Sequence, residues 1–130
     1  MKFYEESDLP IYIQVAEWLE NEILRGQFEP DDKIYSQYQL ADLFTINPAT
    51  AGKGLTILFD HDILYKKRGL GMFVTPHARS VILSKRKNEK LTLLVNGIVD
   101  EAERLEVPFD ELIDMLKSAK MKTQGRDKND

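Results

Sequence analysis

The residues best equipped for chemistry lie between Thr45 and Thr75, where Lys53, Lys66, Lys67 and Arg68 stand against only Asp60 and Asp62. Cationic side chains in such a stretch suit phosphate contact, the interaction that dominates affinity for nucleic acid. Thr50 and Lys53 are one helical turn apart and could address a groove from one side of a helix. Catalytic chemistry is poorly served. The only histidines are His61 and His77, cysteine is absent, no glycine-rich phosphate loop precedes a helix, and no acid pair has a spacing that suggests a cleft. Asp60-His61-Asp62 contains competent metal ligands, but three consecutive residues at a turn rarely converge on one ion, and the triplet reads as a solvated helix end. No enzyme, no metal and no cofactor is expected.

Two helix starts position these groups. Asn47 can cap a helix through its side-chain oxygen, and Pro48 suits the first helical position. On the helix that follows, Ala51, Leu55, Leu58 and Phe59 fall on a core side, and Ala49, Gly52, Lys53 and Thr56 on the other. Gly52 and Gly54 weaken that helix, by about 1 kcal/mol each relative to alanine, which implies either support by tertiary packing or close approach of the backbone to another surface. Upstream, Ser36 with Gln39 has the capping-box spacing, and Leu40, Ala41, Leu43 and Phe44 supply an apolar face. Thr45-Ile46 is the only connection between the two. A short helix, a brief turn and a second helix with a small, polar outer face is the layout of a helix-turn-helix.

An earlier helix is expected from a cap at Asp8 to about Arg25, stopped by Gly26. Its apolar side is Ile11, Val15, Leu19 and Ile23, and Glu17, Glu20 and Glu22 read as a solvated flank. Phe3, Tyr4, Tyr12 and Trp18 read as core and N-terminal packing. Ile34-Tyr35 allows a very short strand. Ile63 to Lys66 and Met72 to Thr75 flank a glycine-containing turn and predict a hairpin. Beside a helix-turn-helix such a hairpin is a wing, with Lys66, Lys67 and Arg68 expected at its tip.

From about Ala78 a helical pattern places Leu91, Val95, Ile98, Ala102 and Leu105 on a seam that wants a partner helix. Pro108 interrupts it, and Phe109, Leu112, Ile113 and Leu116 mark a last helix ending near Lys120. Two such helices cannot bury both faces alone, so pairing with a twofold mate is expected. The fold class is therefore mainly α with a small β-hairpin: a winged helix-turn-helix over residues 1–76, a two-helix dimerisation tail over 77–120, and a flexible tail over 121–130.

Composition bounds the function. The chain of 130 residues is 42% hydrophobic and 31% charged, enough for a core and for solubility. The start lacks the apolar segment of a signal peptide, and no run reaches the roughly 18–20 apolar residues that cross a bilayer. A cytoplasmic location with no membrane partner is expected. The net charge of −4 opposes general affinity for nucleic acid, so any such affinity must come from a local positive face.

Pro10-Ile11-Tyr12, Gln14-Val15, Ile23-Leu24-Arg25-Gly26, Pro30 with Asp32, Ser36 with Leu40-Ala41, Asn47-Pro48 with Thr50 and Lys53, and Arg68 to Val74 together resemble the winged-helix domain of GntR-type bacterial transcription regulators. The Asn47-Pro48 start and the short helical tail resemble the YtrA-like branch. The resemblance covers roughly residues 8–120. It implies a homodimeric repressor of transcription on a palindromic double-stranded DNA operator, often controlling a transporter operon, without a large effector domain. Ser36, Asn47, Thr50, Lys53, Arg68 and Gly69 match the family pattern and are expected at DNA. Gln37, Tyr38, Gln39 and Lys67 join them on local grounds. Departures are Tyr35 and Tyr38, where a proline and an arginine are common, Leu70 between the wing glycines, and the small Gly52 and Gly54. The alternative reading is a winged helix that mediates protein–protein contact or dimerisation without DNA. The sequence does not reveal a small-molecule effector, the operator or the regulated genes.

Overall fold

The computed structural model describes residues 8–128. They form six α-helices and a two-stranded antiparallel sheet. The chain divides into two compact units, residues 1–86 and 87–130. The helix that follows the hairpin thus counts with the first unit and not with the tail.

In the first unit, α1 (Ile11–Leu24) begins after Pro10, whose φ of −55° is already close to helical. The expected Asp8 cap is not used: Pro10 holds the cap position, and no side chain caps it. Gly26, at φ +84°, ends the helix, and the N–H groups of Gly26 and Gln27 return to the carbonyls of Ile23 and Glu22. This left-handed turn strains any residue with a Cβ. Val15, Ala16, Leu19 and Ile23 are buried as the spacing requires.

The helix α2 (Gln37–Phe44) opens on a complete capping box, Ser36 Oγ accepting from Gln39 N–H while Gln39 Oε1 accepts from Ser36 N–H. It closes on Thr45 in the left-handed region. Asn47 then caps α3 (Pro48–Asp60) by accepting from Ala49 N–H at 2.8 Å. Ala51, Leu55 and Leu58 enter the core with Leu40 and Phe44. Leu43 and Phe59, expected inside, are exposed, 37% and 38% respectively. Each lies at the edge of its apolar stripe, where the neighbouring helix no longer covers it.

The hairpin pairs β1 (Leu64–Lys67) with β2 (Gly71–Val74), Leu64 opposite Val74 and Lys67 opposite Gly71. A third segment adds to the free edge of β2, centred on Lys33 opposite Phe73 and not on Ile34-Tyr35. Ile34 donates to the Met72 carbonyl and Val74 to that of Asp32. Tyr35 leaves this edge to pack on Trp18 and Phe28.

Helix α4 (Ala78–Arg86) buries Ala78 and Ile82. Its basic end meets Glu20, which is only 2% exposed and so is no part of a solvated flank. Lys85 Nζ and Arg86 Nη2 reach its two carboxylate oxygens at 3.0 and 3.2 Å. Arg86 also donates to Asn21 Oδ1 and to the Glu17 carbonyl. A carboxylate removed from water needs such partners.

In the second unit a single π-helical turn, Lys87–Leu91, leads into α5 (Thr92–Arg104), and α6 runs from Phe109 to Lys128. Helix α6 thus continues past the end expected near Lys120. Leu91, Val95, Ile98, Leu105, Phe109 and Leu116 are exposed, Ala102 and Ile113 are half-buried, and Leu112 is buried.

Candidate nucleic-acid interface

The sequence placed polar and cationic groups on three local features: the start of α2, the outer side of α3 and the hairpin. All three belong to the first unit. On α3, Ala49, Lys53 and Thr56 are exposed, while Thr50 and Gly52 are half-buried. The Lys53 ammonium stands over the Tyr12 ring, 5.8 Å from its centroid, so a cation–π contact with α1 limits its sweep. Thr56 bonds back to the Gly52 carbonyl, and its hydroxyl proton is used within the helix.

Several expected contact residues have local duties. Ser36 and Gln39 use Oγ and Oε1 in the capping box, and Asn47 uses Oδ1 as the α3 cap. These bonds fix where the helices begin. Tyr38, on the first turn of α2, is 66% exposed. Gln37 is half-buried and turns toward α3, where its Oε1 lies 3.1 Å from the place a Cβ on Gly52 would take.

On the wing, Lys67, Arg68 and Gly69 are exposed. Lys67 Nζ lies 4.5 Å from the Phe73 ring centroid and 5.9 Å from that of Tyr65. The two rings stack at 5.8 Å, which gives the ammonium a firm seat. Lys66 is not at the tip: it pairs with Met72 inside the strand, and its ammonium sits 4.7 Å from the ring centroid of Phe59 on α3. That contact joins the wing to the last turn of α3. Gly69, at φ +77°, forms the tight turn, and Leu70 beside it is 60% exposed.

Lys33 escaped the sequence reading. Its Cε stands 3.1 Å from the Cβ position of Gly71, so a cation from the segment before α2 arrives at the wing. The only signal for it is the β-pairing of Lys33 with Phe73, which no short-range pattern encodes. Acidic neighbours are engaged locally: Asp31 accepts from the Tyr65 hydroxyl, and Asp62 meets His77 Nε2 at 2.6 Å. The bond to Asp31 raises the Tyr65 phenol above its ordinary value of 10.0, with desolvation and the Asp31 charge as smaller causes. Among the described residues no three His, Asp or Glu side chains gather as metal ligands.

Known proteins share this fold. The chain is 32% identical over 115 residues to the HTH-type transcriptional repressor NagR of Bacillus subtilis, of which it spans 44%. It is 27% identical over 124 residues to the repressor YtrA of the same organism, spanning 95% of it. A GntR family transcriptional regulator from Listeria monocytogenes superposes with a TM-score of 0.67 at 27% identity, over 89% of this chain and 98% of that one. The DNA-binding domain of AraR, solved in complex with an operator, is 30% identical with a TM-score of 0.54, over 58% of this chain and 95% of its own. The chain is similar to GntR-family winged helix-turn-helix transcriptional regulators. No protein-family model matches it, so the similarity rests on these individual relatives and on the fold.

The proteins it matches are transcriptional repressors and regulators. Tyr38 presents a phenol on α2, Leu70 stands between Gly69 and Gly71, and positive charge at the wing comes from Lys67, Arg68 and Lys33.

Proposed function

We propose that this protein is a transcription repressor of the YtrA-like branch that binds a palindromic operator as a homodimer, with transporter genes as the expected targets. The observation that carries the reading is the outer side of α3, small at Ala49 and Gly52 and cationic at Lys53, beside a wing that exposes Lys67 and Arg68. Such a face admits the helix to the major groove while the wing reaches the neighbouring phosphates. Thr50 and Lys53 face bases; Ser36, Tyr38 and the N-termini of α2 and α3 face phosphates. The similarity to NagR and YtrA, both repressors, and to the operator-bound AraR domain supports this reading.

The homodimer rests on the second unit. Leu91, Leu94, Val95, Ile98, Leu105, Phe109 and Leu116 expose apolar surface along α5 and α6, and an exposed stripe of this kind gains stability by meeting a copy of itself. In the dimer the two α3 helices lie about 34–36 Å apart, one turn of DNA. Among the described residues no helix is long and apolar enough to cross a membrane, in keeping with action in the cytoplasm. Selection from random duplex DNA tests the function: the protein should enrich an inverted repeat with half-sites about one turn apart. Enrichment of no sequence would favour a protein-binding adaptor.

A further inference from the structure

We infer that Gln37 is a specificity-determining residue, reading a base edge from α2 through the gap that Gly52 leaves on the groove side of α3. The inference rests on the DNA-binding reading above and adds a residue role to it. Helical spacing puts residues 49, 52, 53 and 56 on one side of α3, and Gly52 leaves the middle of that side without a side chain. Gln37 occupies the vacancy. Its Cβ, Cδ and Oε1 lie 3.9, 3.6 and 3.1 Å from the point where a Cβ of residue 52 would stand. The side chain therefore runs across the face of the recognition helix.

Two further features distinguish Gln37 from the polar groups around it. It is half-buried, so its stem is held by packing. Among the described residues its amide enters no hydrogen bond, whereas Ser36, Gln39 and Asn47 have each committed an oxygen to a helix cap. A primary amide offers an acceptor and donors side by side, the complement of adenine N6 and N7 in the major groove. Lys53, one residue from Gly52, has donors only and cannot make that pairing. Gly52 and Gln37 thus act as a unit: the glycine gives up its own contact so that an amide from the preceding helix can take the position.

The experiment uses the full chain. Wild-type protein is first selected against random duplex DNA, and the enriched site is then varied one base pair at a time. Affinities are measured for wild type, Gln37→Ala and Gly52→Ala, with thermal unfolding to verify the fold. Wild type should prefer adenine at one symmetric position of each half-site, and Gln37→Ala should lose roughly five- to 150-fold discrimination there while keeping its preferences elsewhere. Gly52→Ala, which keeps the amide but crowds it, should weaken the same preference. A uniform loss of affinity at every sequence, or unchanged preferences in both variants, would overturn the assignment and leave the DNA-binding reading standing. Enrichment of no sequence by the wild type would remove both.

Discussion

Gly54 and Val15 set how closely α3 lies on α1: a Cβ at residue 54 would stand 2.9 Å from Val15 Cγ1 and 3.0 Å from the Tyr12 carbonyl oxygen. The carbonyl is backbone and cannot rotate aside. Gly54→Ala should therefore be destabilising even though alanine favours the helix by about 1 kcal/mol, because overpacking costs about 1–3 kcal/mol. A net loss of up to roughly 2 kcal/mol in urea unfolding is expected. Gly52→Ala should go the other way, by up to about 1 kcal/mol, since the nearest atom is the movable end of Gln37. Equal effects at the two sites would contradict the packing.

Glu20 joins α1 to α4 from a buried position, and its charge is compensated by Lys85 and Arg86. Removing one member of a buried pair costs about 3–5 kcal/mol. The lower end applies here, because Lys85 and Arg86 remain 19% and 24% exposed. Glu20→Ala should lose about 3 kcal/mol in urea unfolding. A change within experimental error would mean that water already screens the cluster.

Tyr65 should titrate late. Its phenol is raised above 10.0, first by the hydrogen bond it donates to Asp31. A raised value in the folded state means the Tyr65–Asp31 bridge contributes fully below the unfolded value and is lost as pH rises through the folded one. Alkaline titration followed by phenolate absorbance should therefore lose a phenol that titrates above 10.0 in Tyr65→Phe. Loss of an ordinary phenol instead would show that the bridge does not form in solution.

Lys53 is exposed and, among the described residues, held only by its contact with the Tyr12 ring. Lys53→Ala should leave thermal unfolding nearly unchanged and weaken operator binding. If Lys53 meets a phosphate, the slope of log affinity against log salt should fall by about 1. If it meets a base, the slope should hold and discrimination at one position should drop. Unchanged affinity at physiological salt would exclude it from the interface.

Ile98, 41% exposed on α5, sits in the middle of the proposed dimer seam. Ile98→Glu forfeits about 1 kcal/mol of apolar burial per protomer, the share of a full burial that its remaining exposure allows, and places like charges across a twofold axis. Sedimentation should show a dimer for the wild type and a monomer for the variant, with helical content preserved. A variant that remains dimeric would place the interface elsewhere.

What could be read from the residues alone was what a few neighbours decide among themselves. The capping box of Ser36 with Gln39, the Asn47-Pro48 start and the Gly26 stop each close a hydrogen bond or fix a backbone angle within a few positions, so their signals survive without a structure. The hairpin was visible for the same reason. That residues 92–104 form a helix was also legible, because helical spacing alone marks it.

The tertiary fold decided what those elements do to one another. It buried Glu20 by bringing up Lys85 and Arg86, closed α3 onto α1 at Gly54, laid Gln37 into the space at Gly52, and carried Lys33 to the wing. It also moved Lys66 from the tip onto Phe59 and left Leu43 and Phe59 in solvent. Each depends on which residue from another element arrives opposite, and neither periodicity nor propensity registers that. The chain's own order wrote the helix-turn-helix and its wing; packing between distant segments selected the side chains that the interface can present.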